Sequence, residues 1–190
     1  MLETLKPERL ITPGYKALQE QLHSTGEYGE RGYKWAKTAK WIVDRYDIRS
    51  VLDYGCGQGT FKSELRSLVT SAVRIDEYDP AIPNKSQRPG FADLVVCTDV
   101  LEHVEPFALS SVIGHIHALA RVAVLFVVAT VDTEHIMSDG RSTHLTIQPS
   151  EYWERTIKDA GFYLRAIDDL PVPLSPEKRE KCWIGVAIPC

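Results

Sequence analysis

Residues 51–60 read VLDYGCGQGT, and this stretch decides how the rest of the chain is interpreted. A short apolar run that contains one carboxylate, Asp53, leads directly into three glycines at every second position, Gly55, Gly57 and Gly59. Glycine adopts backbone conformations that are closed to other residues, and it lets a ligand approach the main chain closely. Because the helical pattern TFKSELRSLV (60–69) follows, the stretch predicts a strand, a binding loop and a helix.

The glycine loop lacks the features of the two common phosphate-binding loops. No Lys follows the glycines as the P-loop requires, and Thr60 stands where the third glycine of GxGxxG belongs. The carboxylate of Asp53, two residues before the loop, would repel a pyrophosphate and attract a cation. S-adenosylmethionine is such a ligand, since it has no phosphate and carries an ammonium and a sulfonium. The start of the helix at Thr60 would face its carboxylate.

The composition indicates a globular domain. The chain has 190 residues, of which 44% are hydrophobic and 25% charged, and its net charge of −4 argues against a general nucleic-acid or anionic-membrane binder. No apolar run approaches the length of a membrane-spanning helix, and the N-terminus lacks a signal-peptide pattern. The four cysteines are scattered without a CxxC pair, which favours a reducing, cytoplasmic setting over a zinc knuckle or a disulfide framework.

Strand and helix patterns alternate along most of the chain, and they predict an α/β fold with a doubly wound, mostly parallel sheet. Residues 1–30 are polar and interrupted by Pro and Gly, and they predict an N-terminal arm or flap before a single domain at 31–190. The last two strand patterns, FYLRAI (162–167) and CWIGVAI (182–188), have no helix pattern between them and should pair antiparallel at one edge. Only eleven residues separate Pro80 from Ala92, so a third strand with its helix does not fit there.

VLDYGCGQGTF resembles motif I of the class I S-adenosylmethionine-dependent methyltransferases. Three further segments resemble that family in the right order, and the likeness covers roughly residues 30–187; they are EYDPA (77–81), FADLVVCTDVLEHVEP (91–106) and HLTIQPSEYWERTIKDAGF (144–162). The resemblance implies a Rossmann-like methyltransferase fold. It also implies transfer of the methyl group of S-adenosylmethionine to an O or N atom of an acceptor that the sequence does not identify.

In an open parallel sheet, ligands bind beyond the carboxyl ends of the strands. We therefore expect one crevice to bring together the cofactor-binding residues Asp53, Gly55, Cys56, Gly57, Gly59, Asp79, Pro80 and Thr98. Within this set, the resemblance implies that Asp79 binds the two ribose hydroxyls, with Glu77 as the reserve. Cys56 is interpreted as a small side chain beside the cofactor, because no His or Lys adjoins it to lower its pKa.

The cluster DVLEH (99–103) follows the fourth strand of the resembled family, where the transferred methyl group should emerge. We predict His103, His144 and Asp99 as catalytic residues, with His103 or His144 as a general base. A second hypothesis has Asp99, Glu102, His103 and His144 binding a divalent metal. This arrangement resembles the small-RNA 3′-end 2′-O-methyltransferases, and the resemblance implies, as the alternative function, metal-assisted methylation of an RNA 3′ end. A third has Glu102 and His103 only holding the turn.

The remaining predictions concern the surroundings of the crevice. Tyr28 or Tyr33 should act as a lid residue on a mobile flap, and Arg141 is available for an anionic group of the substrate. His115 and His117 lie two residues apart on a predicted helix and point to different faces, so they are poor partners for one metal. His23 and His135 are expected to be solvated. Two alternatives to an enzyme stay open: a cofactor-binding module without chemistry, and a scaffold subunit that needs a partner.

Overall fold

The computed structural model describes residues 10–26, 28–166 and 169–190. One six-stranded sheet runs through the molecule in the order β2-β1-β3-β4-β6-β5. The strands are β1 (Ser50–Tyr54), β2 (Arg74–Tyr78), β3 (Ala92–Thr98), β4 (Ala120–Ala129), β5 (Phe162–Arg165) and β6 (Cys182–Pro189). The first four are parallel neighbours, which confirms the predicted doubly wound sheet.

Six α-helices accompany the sheet in the described part of the chain. They are α1 (Pro13–Ser24), α2 (Ala36–Arg45), α3 (Thr60–Leu68), α4 (Leu109–Leu119), α5 (Ser150–Asp159) and α6 (Pro176–Arg179). Helix α5 begins at Ser150, with Pro149 at the cap position and no side-chain cap bond. Gly161, at a φ of 89°, ends the segment after α5 as expected of a glycine stop.

The apolar residues of the central strands are buried on both faces of the sheet. Leu52 and Val95 belong to a core with α4 and α5, in which Trp153 is fully buried. Val51 and Leu94 belong to a second core with α2 and α3. Strands covered on both faces read as nearly continuous apolar runs rather than alternating ones, and this accounts for the sequences of β3 and β4.

The two edges of the sheet also follow the sequence prediction. Strand β6 is antiparallel to β4 and to β5, which confirms the antiparallel C-terminal hairpin. The connection between β5 and β6 nevertheless contains the four-residue helix α6, where no helix was predicted. At the other edge, residues between β2 and β3 form only a short 3₁₀ turn, Pro83–Lys85, so the third strand is missing as predicted.

The N-terminal part of the described chain packs over the carboxyl ends of the parallel strands. The hydroxyl of Tyr15 on α1 donates to the carbonyl of His103 at 2.7 Å, and the Thr12 hydroxyl donates to Glu105 at 2.8 Å. The division into an arm at 1–30 and a domain at 31–190 stays a prediction, and residues 1–9 of that arm lie outside the described residues. None of the described helices has the length and apolarity needed to cross a membrane.

Candidate active site

A cavity of about 390 Å³ lies at the carboxyl ends of β1, β2 and β3. Its walls come from the glycine loop, the turn after β2, the segment after β3 and the N-terminal residues around Tyr28. Seven of the eight predicted cofactor-binding residues line it: Asp53, Gly55, Cys56, Gly57, Asp79, Pro80 and Thr98. Gly59 does not line the cavity, since it caps α3 in a left-handed conformation.

The glycine loop is packed so closely that side chains would not fit. A Cβ atom at Gly55 would lie 2.5 Å from Val100, and one at Gly57 would lie 2.5 Å from the carbonyl oxygen of Gly29. Both glycines have a positive φ, which other residues adopt at a cost. The loop therefore needs glycine both for its own backbone and for the close approach of the N-terminal segment.

Asp79 holds the turn after β2 against the glycine loop. Its Oδ2 accepts a hydrogen bond from the Gly57 amide at 3.1 Å, and its Oδ1 accepts one from the Ala81 amide at 2.9 Å. Each carboxylate oxygen keeps a further lone pair, so both can still accept from hydroxyl groups. Glu77 is engaged elsewhere, because its carboxylate bridges Lys62 at 3.0 Å and Lys85 at 3.1 Å.

Asp53 is a buried carboxylate at the cavity wall. The residue is only 5% exposed, and its Oδ2 has no hydrogen-bond partner among the described residues. Burial, with a contribution from Glu77 and Asp79, raises the pKa of Asp53 to about 8. A buried carboxylate without a partner is costly, and a cationic ligand in the cavity would supply the missing interaction.

Cys56 lies at the same wall, and its side chain is buried. Burial is the main cause that raises the pKa of its thiol far above the ordinary value, and Asp53 and Asp79 add to it. A thiol held protonated is a small apolar group and a poor nucleophile. This agrees with its interpretation as a neighbour of the cofactor.

The N-terminal segment around Tyr28 connects the glycine loop to the residues that follow β3. The Gln58 amide donates to the Gly29 carbonyl at 3.0 Å, and the Gln58 side chain donates to the Tyr28 carbonyl at 3.2 Å. The Tyr28 hydroxyl lies 3.1 Å from Nδ1 of His103. Tyr33, the other predicted lid residue, is 55% exposed and lies outside the cavity wall.

Glu102, His103 and His144 converge at the cavity. Each offers a possible ligand atom within 4.8 Å of the other two, and the two imidazole rings lie 4.8 Å apart. Nδ1 of His103 lies 2.7 Å from the Thr143 carbonyl, and Nδ1 of His144 lies 2.8 Å from the carbonyl of Val131. Because a carbonyl only accepts, both Nδ1 atoms carry the proton, and in the neutral rings Nε2 keeps its lone pair.

Burial shifts the titration of this cluster. Burial, followed by the neighbouring His144, lowers the pKa of His103 to about 4, so its ring is neutral near pH 7. Burial, followed by the charge of Asp99, raises the pKa of Glu102 to about 8. Oε1 of Glu102 accepts from the Ala129 amide at 3.1 Å, while its Oε2 is buried with no partner in the described part of the chain.

Asp99 also lines the cavity, but it is not one of the three residues whose ligand atoms converge. Its backbone has a φ of +56°, which is uncommon for a residue other than glycine, and its carboxylate forms an ion pair with Lys34 at 2.7 Å. Of the four residues in the metal hypothesis, the structure thus groups three, and Asp99 is held beside them by Lys34. Lys34 also lines the cavity, and the sequence pattern gave no signal for it because it reads as an ordinary polar residue of an amphipathic stretch.

The sequence matches the family model described as a methyltransferase domain over residues 15–167. The chain belongs to this methyltransferase family. The resemblance drawn from the glycine loop and the three later segments is therefore confirmed. No curated protein sequence gives a significant match.

Solved structures of other methyltransferases share the fold of this one. A 1,6-didemethyltoxoflavin N1-methyltransferase from Burkholderia thailandensis is 14% identical, with a TM-score of 0.65 over 100% of this chain and 92% of that chain. Human N-acetylserotonin methyltransferase is 15% identical, with a TM-score of 0.60 over 97% of this chain and 60% of that chain. The magnesium protoporphyrin IX methyltransferase of Synechocystis PCC 6803 is 16% identical, with a TM-score of 0.53 over 92% of this chain and 81% of that chain.

The structure of the methyltransferase also revises the surroundings of the crevice. His23, expected to be solvated, is half-buried and lines the cavity, with its ring centre 5.2 Å from that of Tyr28. His135 is exposed as expected, although it also lines the cavity, with its ring centre 6.1 Å from that of Tyr28. Arg141, expected to be available for an anionic group, is ion-paired with Asp139 at 2.7 Å. The grouping of Tyr28 with His23, His103 and His135 could not be predicted from the sequence, because these residues come from three separate segments.

Proposed function

We propose that this methyltransferase binds S-adenosylmethionine in the cavity and methylates an O or N atom held beside His103 and His144. The ribose hydroxyls would donate to Asp79, and the positively charged part of the cofactor would lie near Asp53. The observation that carries this assignment is the orphaned, buried Oδ2 of Asp53, which a cation would satisfy. The solved structures of the Burkholderia and Synechocystis enzymes, crystallised with S-adenosylhomocysteine or S-adenosylmethionine, support the choice of cofactor.

When bound, the cofactor supplies an activated methyl group, whose bond to sulfur breaks with the electron pair staying on sulfur. The protein has to place the acceptor in line with that bond and to receive its proton. His103 is placed for the second task, because the Thr143 carbonyl holds its Nδ1–H and leaves Nε2 free of the proton. An acceptor O or N atom then forms the bond to carbon, and its proton passes to Nε2 of His103.

The other residues at this end have positioning roles. The Thr143 carbonyl fixes the tautomer and orientation of His103. Lys34 holds the carboxylate of Asp99 in an ion pair at 2.7 Å beside the histidines. Tyr28 closes the cavity between the histidines and links this end to the glycine loop.

The test follows transfer of a labelled methyl group from S-adenosylmethionine into an extract of cells that express the protein. The double variant His103→Ala, His144→Ala is expected to bind S-adenosylhomocysteine as the parent does and to lose label transfer. Asp79→Ala is expected to lose both the binding of S-adenosylhomocysteine and the transfer of the label. Full transfer by the double histidine variant would contradict the role given to this end of the cavity.

A further inference from the structure

We infer that Glu102, His103 and His144 bind one divalent transition-metal cation at the acceptor end of the cavity. The inference deepens the proposed function, on which it rests for the position of the acceptor. It starts from geometry: the three side chains come from two segments about forty residues apart, and their ligand atoms lie within 4.8 Å of one another. The set has two imidazoles and one carboxylate, which suits Zn²⁺, Mn²⁺, Fe²⁺ or Co²⁺ better than Mg²⁺ or Ca²⁺.

The hydrogen bonds around the two histidines are those expected around metal ligands. A ligating histidine usually donates its other ring N–H to a carbonyl or carboxylate, which fixes the ring and leaves the ligating nitrogen unprotonated. His103 does this with the Thr143 carbonyl at 2.7 Å, and His144 does it with the Val131 carbonyl at 2.8 Å. Both rings therefore present Nε2 as a lone-pair donor.

Glu102 supplies the independent observation. The residue is 1% exposed, and Oε2 has no hydrogen-bond partner among the described residues, while Oε1 is anchored by the Ala129 amide. A buried carboxylate oxygen left without a partner is costly, and a cation bound between it and the two imidazoles removes that cost. Three protein ligands also leave a coordination position open for an acceptor atom.

An ion pair beside the cluster leaves Asp99 out of the set of side chains that bind the cation. Asp99 is paired with Lys34 at 2.7 Å and stands outside the cluster. Metal–nitrogen bonds of about 2.0 Å hold tetrahedral ligand atoms about 3.3 Å apart. The ligand atoms lie within 4.8 Å of one another, so they must move closer by up to about 1.5 Å when the cation binds. With the cation present, both Nε2 atoms are ligands, and the proton of an acceptor hydroxyl leaves to solvent instead of to His103.

The experiment titrates the metal-free protein with Co²⁺, following visible absorption and calorimetry, and then displaces Co²⁺ with Zn²⁺. One Co²⁺ per chain is expected. Glu102→Gln and His144→Ala should each lower the affinity by more than the roughly 10–100-fold that loss of an outer-sphere partner costs. His135→Ala is the matched control, because it removes an exposed histidine of the same cavity that lies outside the cluster, and it should bind Co²⁺ as the parent does.

Binding of S-adenosylhomocysteine, measured on the same samples, separates the two claims. Unchanged binding in Glu102→Gln and His144→Ala shows that these variants fold, so that their loss of Co²⁺ supports the metal site. A parent protein that binds S-adenosylhomocysteine but takes up no Co²⁺ or Zn²⁺, or ligand variants that bind Co²⁺ like the parent, would overturn the inference and leave His103 as the proton acceptor. A parent protein that does not bind S-adenosylhomocysteine would instead refute the proposed function.

Discussion

The amide of Gly57 donates a hydrogen bond to Oδ2 of Asp79 at 3.1 Å. This bond joins the glycine loop after β1 to the acidic turn after β2, two segments whose strands are parallel neighbours. Because the Ala81 amide binds the other oxygen of Asp79 at 2.9 Å, the carboxylate is fixed before any ligand arrives. A ribose-binding group that is held in place in this way loses little conformational entropy when the ligand binds.

The first prediction concerns this carboxylate. Asp79→Ala leaves two buried amides without an acceptor, so we expect the free energy of unfolding to fall by about 1–3 kcal/mol. We also expect the affinity for S-adenosylhomocysteine to fall at least roughly tenfold, since a hydrogen bond to a charged group contributes about 1.5–3 kcal/mol. Calorimetry and urea unfolding measure the two effects. Asp76→Ala is the control, because Asp76 lies on the preceding strand β2, outside the cavity and paired with Arg74, and it should change neither quantity much.

The second prediction separates stability from binding at Asp53. Its pKa rises from 3.8 to about 8, mainly through burial, so between these values the folded state keeps a proton that the unfolded chain has lost. The free energy of unfolding should therefore fall as pH rises from about 4 to about 8. Asp53→Asn should reduce that fall, although Glu102 titrates in the same window and keeps part of it.

At pH 8 the unliganded Asp53→Asn protein should thus be more stable than the parent, while its affinity for S-adenosylhomocysteine is at least roughly tenfold lower. Thermal unfolding at pH 5 and pH 8, with and without ligand, measures both. The interpretation of Asp53 as the partner of a cationic ligand would be contradicted by either of two results: a variant less stable than the parent at pH 8, or a variant that binds S-adenosylhomocysteine as tightly as the parent does.

The third prediction uses two glycines. Gly57→Ala places a Cβ atom 2.5 Å from the Gly29 carbonyl oxygen at a φ of +49°, so the N-terminal segment must move away from the loop. We expect weaker binding of S-adenosylhomocysteine and faster trypsin cleavage at Arg31. In the matched control Gly90→Ala the new methyl group meets nothing within 4 Å, and it should behave like the parent. Equal cleavage rates in the two variants would argue against the contact between segment and loop.

The fourth prediction concerns the N-terminal segment itself. Its contacts with Gln58 and His103 span both ends of the cavity, so a ligand in the cavity should hold it closed. S-adenosylhomocysteine is expected to slow proteolysis between residues 20 and 35 in the parent. The protection should be smaller in Gln58→Ala, which lacks the side-chain bonds to the carbonyls of His23 and Tyr28. Uniform sensitivity with and without ligand would rule out a lid.

Much of the fold could be predicted from local patterns. The glycines after β1, the apolar runs of β3 and β4 and the short gap between Pro80 and Ala92 identified the sheet and its missing strand, because these features depend on neighbours along the chain. The short helix α6 was missed, since four residues with the sequence PEKR carry too weak a periodicity.

The site was only partly predictable for a physical reason. The positions at strand ends placed Asp53, Asp79 and His103 at one crevice, but pairings between distant segments left no local signal. The ion pair of Lys34 with Asp99 and the bridge of Lys85 to Glu77 are of this kind. The same limit applies to the histidines around Tyr28. The alternative of an RNA 3′ end as the acceptor stays a prediction from the resemblance of DVLEH and the distant His144.

The central claim is that the cavity binds S-adenosylmethionine, and calorimetric titration of the protein with this compound tests it most directly. One binding site per chain is expected, with an affinity that falls in Asp53→Asn and Asp79→Ala but not in the Asp76→Ala control. Absence of binding at high micromolar concentrations of the compound, by the properly folded parent protein, would contradict it.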